Sequence, residues 1–194
     1  MAKPDTDSYK KERNKAIRWV TSIFFVTMAI SGTISFVSDE IMAASTMAVA
    51  FLILFAIIIV GIIFDIVGVA VTSADEKPFH SMAARKVPGA QEAIKLLRNA
   101  ERVSSICNDV IGDICGVVSG SASATIAAQV LNNFDFTFPQ IVSLLMSALA
   151  AGVTVGGKAI GKTFAISSCV KIVYRTGKVI WYFRTFPKCL KRKK

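Results

Sequence analysis

The sequence predicts an all-α, polytopic membrane protein with four transmembrane helices and amphipathic juxtamembrane helices on its cytoplasmic side. Three observations carry that prediction. The 194 residues are 53% apolar, with a mean hydropathy of +0.55, well above an ordinary soluble domain. Four runs (19–38, 41–64, 114–134 and 136–157) contain no charged side chain, and each is long enough to cross a bilayer core of about 30 Å. The cations, finally, are zoned. Six of the 23 Lys/Arg lie in residues 1–18, six in 76–102 and eleven from Lys158 onward, while the connections 38–41 and 132–136 hold none. The positive-inside rule then places both termini and the middle connection in the cytoplasm, as an even number of spans requires. The plasma (inner) membrane is the expected location.

In chain order, residues 1–17 read as a basic cytoplasmic tail, helical from Asp7, and residues 18–168 as the membrane domain. Its spans are expected at about 18–38, 41–73, 104–131 and 137–160. The short SDE segment (38–40) reads as the turn between the first two spans, making them antiparallel neighbours. In the second span Gly61, Asp65, Gly68 and Thr72 recur at helical spacing. That face should turn toward protein, because an acid facing lipid costs several kcal/mol. Asp65 is thus either a lone acid, kept protonated in the bundle or hydrogen-bonded to a neighbour, or part of an ion path.

The middle segment opens with Pro78 and a short polar stretch. An amphipathic helix, 89–103, follows, with Ala93, Leu96, Leu97 and Ala100 on one side; it is expected to lie on the inner leaflet and feed into the third span. Pro139 fits the first turn of the fourth span. Residues 169–194 read as a basic, aromatic interfacial helix with a polybasic KRKK end, suited to anionic headgroups.

The third span opens on CNDVIGDICGVVSG (107–120). Helical spacing puts Asp109 and Asp113 one turn apart on one face. Gly112, Gly116 and Gly120 form a small-xxx-small pattern that admits a close helix. Ionisable groups at such a place point by default to a cation or proton path; the alternative is that both acids sit in interfacial water and cap the helix.

Several function classes are disfavoured. The cations flank membrane spans, so a nucleic-acid partner is not expected. Cys107, Cys115, Cys169 and Cys189 lack metal-ligand spacing, and His80 stands apart as a surface side chain. No nucleophile–base pair suggests an enzyme. The segment 156–163, GGKAIGKT, matches the phosphate-loop pattern. It follows a long apolar helix rather than a strand, so no nucleotide is expected.

From the second span onward, the order of elements resembles the transmembrane domain of the CNNM/CorC magnesium transporters. The family's Ser-rich turn with a Glu is resembled by Thr72-Ser73-Ala74-Asp75-Glu76, and its juxtamembrane helix by Gly89-Ala90 through Leu96-Leu97-Arg98-Asn99 with Glu101 behind. Its Asn-x-x-x-Asn pair is resembled by Asn108-Asp109-Val110-Ile111-Gly112-Asp113, and its Gly-Glu-x-x-Pro-Lys by Gly157-Lys158-Ala159-Ile160-Gly161-Lys162-Thr163. The match covers residues 61–168, without the family's cytoplasmic CBS domains and with an additional first span.

The resemblance implies a dehydrated magnesium ion held between three spans. Carried over by position, it offers Ser73, Asp75, Asn108, Gly112 and Gly157, with Asp109 and Asp113 as additional acidic ligands. Magnesium or manganese, as substrate, suits such an oxygen-rich set. Three departures matter: the second Asn is Gly112, the Glu is Lys158 and the Pro is Gly161. The expectation is therefore a homodimeric divalent-cation transporter or binding protein, with an inward-facing acidic site and Asp65 on the deeper path. The rival is a non-transporting homologue, a scaffold or sensor in which Lys158 neutralises the site.

Overall fold

A computed structural model describes residues 6–133 and 138–191, and the regular structure among them is entirely helical. Outside the described residues lie the first five positions, the connection 134–137 with its Asp135, and the last three of the KRKK end. The helices are α1 (Thr6–Ala43), α2 (Met47–Ser73), α3 (Lys77–Ala84), α4 (Ala90–Arg98) and α5 (Ala100–Ser105). A π-helical segment, Ile106–Gly112, leads into α6 (Asp113–Asn133), followed by α7 (Pro139–Ser167) and α8 (Cys169–Lys191). Among the described residues four stretches are long and apolar enough to cross a membrane: Ile17–Met42, Met47–Ser73, Ala100–Asn133 and Pro139–Ser167. Large side chains such as Phe24, Phe25, Leu52, Leu144 and Ile160 are exposed along them, as expected where lipid, not water, is the solvent.

The first hairpin differs from the sequence expectation. Helix α1 runs through the SDE segment to Ala43, and the turn falls at residues 44–46, where Ser45 N–H donates to Met42 O at 3.1 Å. The reason is tertiary. Asp39 need not reach water, because it accepts from Ser121 Oγ at 2.7 Å and from Thr125 Oγ1 at 3.3 Å, both on α6. Gln129 Nε2 donates to Met42 O at 2.7 Å, one turn further along the same seam. Hydroxyl and amide bonds of this kind tie transmembrane helices together at about 0.6–2 kcal/mol each. The main neighbour of α1 is thus α6, while the packing of α1 against α2 is slight.

Small residues set how the other spans approach. A Cβ on Gly61 would lie 2.8 Å from Cys115 Cβ, and one on Gly68 would collide with the Asn108 amide. A Cβ on Gly161 would meet Ile66 at 2.8 Å, and one on Gly157 would collide with Ile62. Helix α2 is therefore antiparallel to the third span and parallel to α7, in close register with both. The Gly61–Gly68 face does turn toward protein: both glycines are buried and Asp65 is half-buried. At the α1–α2 turn a core forms from Met42, Ala50, Leu54, Ile58, Ala122 and Ile126.

At the other, basic end the structure replaces the expected surface helix with a packed cluster. The segment after α2 forms α3, with Pro78 in its first turn. The stretch 89–103 is not one helix but α4 and α5, divided at Asn99. Helices α3 and α4, the end of α2 and α8 bury Val71, Phe79, Ala93, Leu97 and Val173 together. Helix α8 is thus an internal packing partner as well as a basic surface. Gly89 adopts a positive φ of 88°, and a Cβ there would lie 2.6 Å from the Lys178 backbone. A Cβ on Gly177 would lie 2.7 Å from Gly89 O. This is backbone-to-backbone contact that only glycine permits.

An ion pair closes that contact. Glu92 accepts from Lys95 Nζ at 2.9 Å and from Arg184 Nη1 at 3.1 Å. The Lys95 hydrogen bond, helped by the charges of Lys95 and Arg184 against some desolvation, holds the Glu92 carboxyl below its usual value. A carboxyl depressed on folding adds stability that is present above its unfolded pKa and lost as pH falls through the folded one. Lowering pH from 7 through the acidic side of the ordinary glutamate range should therefore reduce the melting temperature of the wild type more than that of Glu92→Gln. Equal slopes in melting-temperature scans of the two proteins would contradict this.

Candidate functional site

The ligand set expected from the sequence separates into several places. Ser73 ends α2 and is exposed. Asp75 lies in the following turn, where its Oδ1 accepts from Lys77 N at 3.3 Å, a local bond that shapes the entry to α3. Glu76 also has local partners, His80 Nε2 at 3.1 Å and Arg98 Nε at 3.9 Å. His80, expected to stand apart, is exposed but paired.

The two acids of the third span also part company. Asp109 lies on the side of α1: its Oδ2 accepts from Ser105 Oγ at 2.7 Å, and it lines a groove against Trp19, Ile23 and Thr27. Asp113 lines another cavity, of about 490 Å³ between α6 and α7, together with Lys158, Ser119, Ser123 and Thr154. Spacing of four residues would align two side chains on an α-helix. Here the residues from 106 to 112 are π-helical, and the wider i→i+5 turn rotates Asp109 away from Asp113. Among the described residues no three His, Cys, Asp or Glu side chains come together.

What does converge is a junction of α2, the π-segment and α7. Asn108 is half-buried; its Nδ2 donates to Ser104 Oγ at 3.3 Å, while its Oδ1 is buried with no hydrogen-bond partner and faces Gly68. A buried amide oxygen left unpaired costs about 1–3 kcal/mol. Gly112 is buried, and its carbonyl accepts from Lys158 Nζ at 3.4 Å across the gap to α7. A backbone carbonyl has a second lone pair to offer beyond the helix. Lys158 is half-buried and forms no ion pair within 4.0 Å among the described residues.

Asp65 belongs to the same junction. At about 100° per residue, Gly61 and Gly68 fall within about 20° of each other, facing Cys115 and Asn108. Ile62 and Ile66 lie about 100–140° round, facing Gly157 and Gly161 of α7. Asp65, about 40° from Gly61 on that side, sits in the corner between the two neighbours. The same contacts fix its depth. Matching Gly61 to Cys115 and Gly68 to Asn108 puts Asp65 level with Ile111, and matching Ile62 to Gly157 puts it level with Ile160. The Asp65, Gly112 and Lys158 backbones thus share one depth to within about 3 Å. Asp65 has no hydrogen bond or ion pair among the described residues.

Of the residues the sequence singles out, Asn108 packs on Gly68, Gly112 accepts from Lys158 and Gly157 admits Ile62, while Asp65 shares their depth without a hydrogen bond or ion pair among the described residues. Gly157 contributes by lacking a side chain, which admits Ile62. The feature sequence reasoning had no means of seeing is the π-segment, since no residue type signals one. The phosphate-loop pattern at 156–163 lies wholly inside α7, without the strand–loop–helix geometry that mechanism needs. No family model matches the chain, and neither a curated protein nor a solved structure matches it.

Proposed function

We propose that the protein binds a divalent cation, magnesium or manganese, at the α2–π-segment–α7 junction and moves it across the membrane. The observation that carries this reading is the Lys158 ammonium on the Gly112 carbonyl, at the depth of an unpaired Asp65. A cation already occupies the place where three spans meet; it is tethered to the protein. Asp65 would supply charge, and Asn108 Oδ1 and the Gly112 carbonyl neutral oxygens, a hard-donor set that suits these ions. Withdrawal of Lys158 into the neighbouring cavity, toward Asp113, would open the set to a free ion. The charge zoning supports a cytoplasmic opening at the basic end. Gly116, Gly120, Gly152 and Gly156 have nothing within 4 Å of an added Cβ, which leaves small-residue surface for a second copy. The resemblance to the CNNM/CorC transmembrane domain is consistent with the same site.

The second reading is a non-transporting scaffold or sensor. The Lys158–Gly112 contact favours it too, if the ammonium never leaves. Uptake separates the two. In proteoliposomes loaded with a manganese-quenched dye, the wild type should admit manganese, and Asp65→Asn should slow entry about tenfold or more, by loss of a charge-assisted ligand worth about 1.5–3 kcal/mol. No entry through the wild type, or entry unchanged in Asp65→Asn combined with Asn108→Ala, would overturn the transport reading.

A further inference from the structure

We infer a lipid-binding site in the groove between α1 and the π-segment, fitted to a phospholipid of the basic-end leaflet whose headgroup carries a primary ammonium. The inference stands independently of the cation site, because Asp109 faces away from that junction.

The groove has a volume of about 570 Å³ and is lined on one side by Trp19, Ile23, Thr27 and Ser31 of α1, and on the other by Asp109 and Val110. Its origin lies in how α1 packs along the third span. Helices α1 and α6 are parallel and are bound together at Asp39–Ser121–Thr125 and Met42–Gln129. Below that seam α1, packed closely on α6, makes only slight contact with the π-segment. From Trp19 to Ser31 the groove runs for about 18 Å at 1.5 Å per residue, close to the thickness of one leaflet, about 15 Å. Helix α1 belongs to an apolar span with exposed walls, so the groove borders lipid chains.

Its charge selects the occupant. Asp109 is exposed, takes one hydrogen bond from Ser105, and forms no ion pair with any cation among the described residues. A bare carboxylate beside lipid is costly, and a primary ammonium would neutralise it with a charge-assisted hydrogen bond. The Thr27 hydroxyl, buried without a hydrogen-bond partner, is a second unsatisfied polar group on the facing wall. Trp19 sits at the end of the span, where indole rings settle at headgroup depth. A phospholipid therefore fits the groove at two points: acyl chain on Ile23 and Val110, ammonium on Asp109.

Native mass spectrometry of the full chain, purified in detergent with EDTA present, tests this with dioleoyl phosphatidylethanolamine, phosphatidylcholine and phosphatidylglycerol in competition. The ethanolamine lipid should be retained about tenfold over the other two, as expected from one charge-assisted bond. Phosphatidylcholine keeps the charge but has no N–H donor, and phosphatidylglycerol lacks the ammonium altogether. Asp109→Asn should abolish the preference, as should Thr27→Phe, which fills the groove and leaves the carboxylate in place. Asp109→Glu should restore it. Equal retention of the three lipids by the wild type, or a preference that survives both Asp109→Asn and Thr27→Phe, would overturn the proposal. Neither result bears on manganese entry, so the two readings fail separately.

Discussion

Lys158→Met is expected to turn the slight stabilisation that millimolar divalent cations give the wild type into a large one. In the wild type the ammonium on Gly112 O competes with any ion for the junction. Methionine keeps the length and apolar stem of lysine but removes the charge, so the Asp65 carboxylate, Asn108 Oδ1 and the Gly112 carbonyl are left without a competing ammonium. Ligand at about a hundred times its dissociation constant stabilises by about 2.7 kcal/mol. For a chain of this size that is a rise of about 5–10 °C in melting temperature. The wild type should shift by much less, because the ion must first displace the amine. Asp65→Asn in the methionine background should return the response to the wild-type level. Magnesium or manganese acting equally on wild type and variant would mean that Lys158 does not guard the site.

Gly177→Ala and Gly89→Ala are expected to be the most damaging single-methyl changes in the basic end. Each added Cβ meets backbone, at 2.7 Å from Gly89 O and 2.6 Å from Lys178 Cα respectively, and backbone has no rotamer in which to escape. Overpacking of this kind costs about 1–3 kcal/mol; alanine at Gly89, with φ at 88°, adds about 1–2 kcal/mol for the left-handed conformation. Helix α8 should lose its seat on α4, breaking the Glu92–Arg184 pair. Limited proteolysis should then cut near residues 168–169 much faster than in the wild type. Gly152→Ala and Gly156→Ala, where an added Cβ meets nothing within 4 Å, are the matched controls in the monomer. An unchanged cleavage rate in Gly177→Ala would refute the packing account.

These contacts show which parts of the structure a sequence can disclose. Hydropathy and charge zoning specify the four spans because lipid imposes a length and composition on each helix separately. The protein-facing side of α2 was legible for a similar reason: an acid among glycines has one tolerable place. The first turn was not, because the partners that keep Asp39 inside a helix, Ser121 and Thr125, lie more than 80 residues away. Nor was the division of 89–103 at Asn99, where apolar periodicity continues past a break in the backbone.

The candidate site shows the same limit more sharply. Asp109 and Asp113 formed a pair only on the assumption of a regular 3.6-residue repeat, and the π-segment removes it. Once that segment is in place, Asp109 turns to the α1 groove, Asp113 to the α6–α7 cavity, and the Gly112 carbonyl to Lys158. The lysine that stood where the resemblance called for an anionic ligand meets a carbonyl, not either of those acids. The acid at the depth of that contact comes from α2, as Asp65.

Anomalous diffraction from manganese-soaked crystals of Lys158→Met tests the central claim most directly. The account predicts one strong peak between Asp65, Asn108 and the Gly112 carbonyl, absent from Lys158→Met carrying Asp65→Asn. A peak on Asp109, or on Ser73 and Asp75, with the junction empty, would contradict it.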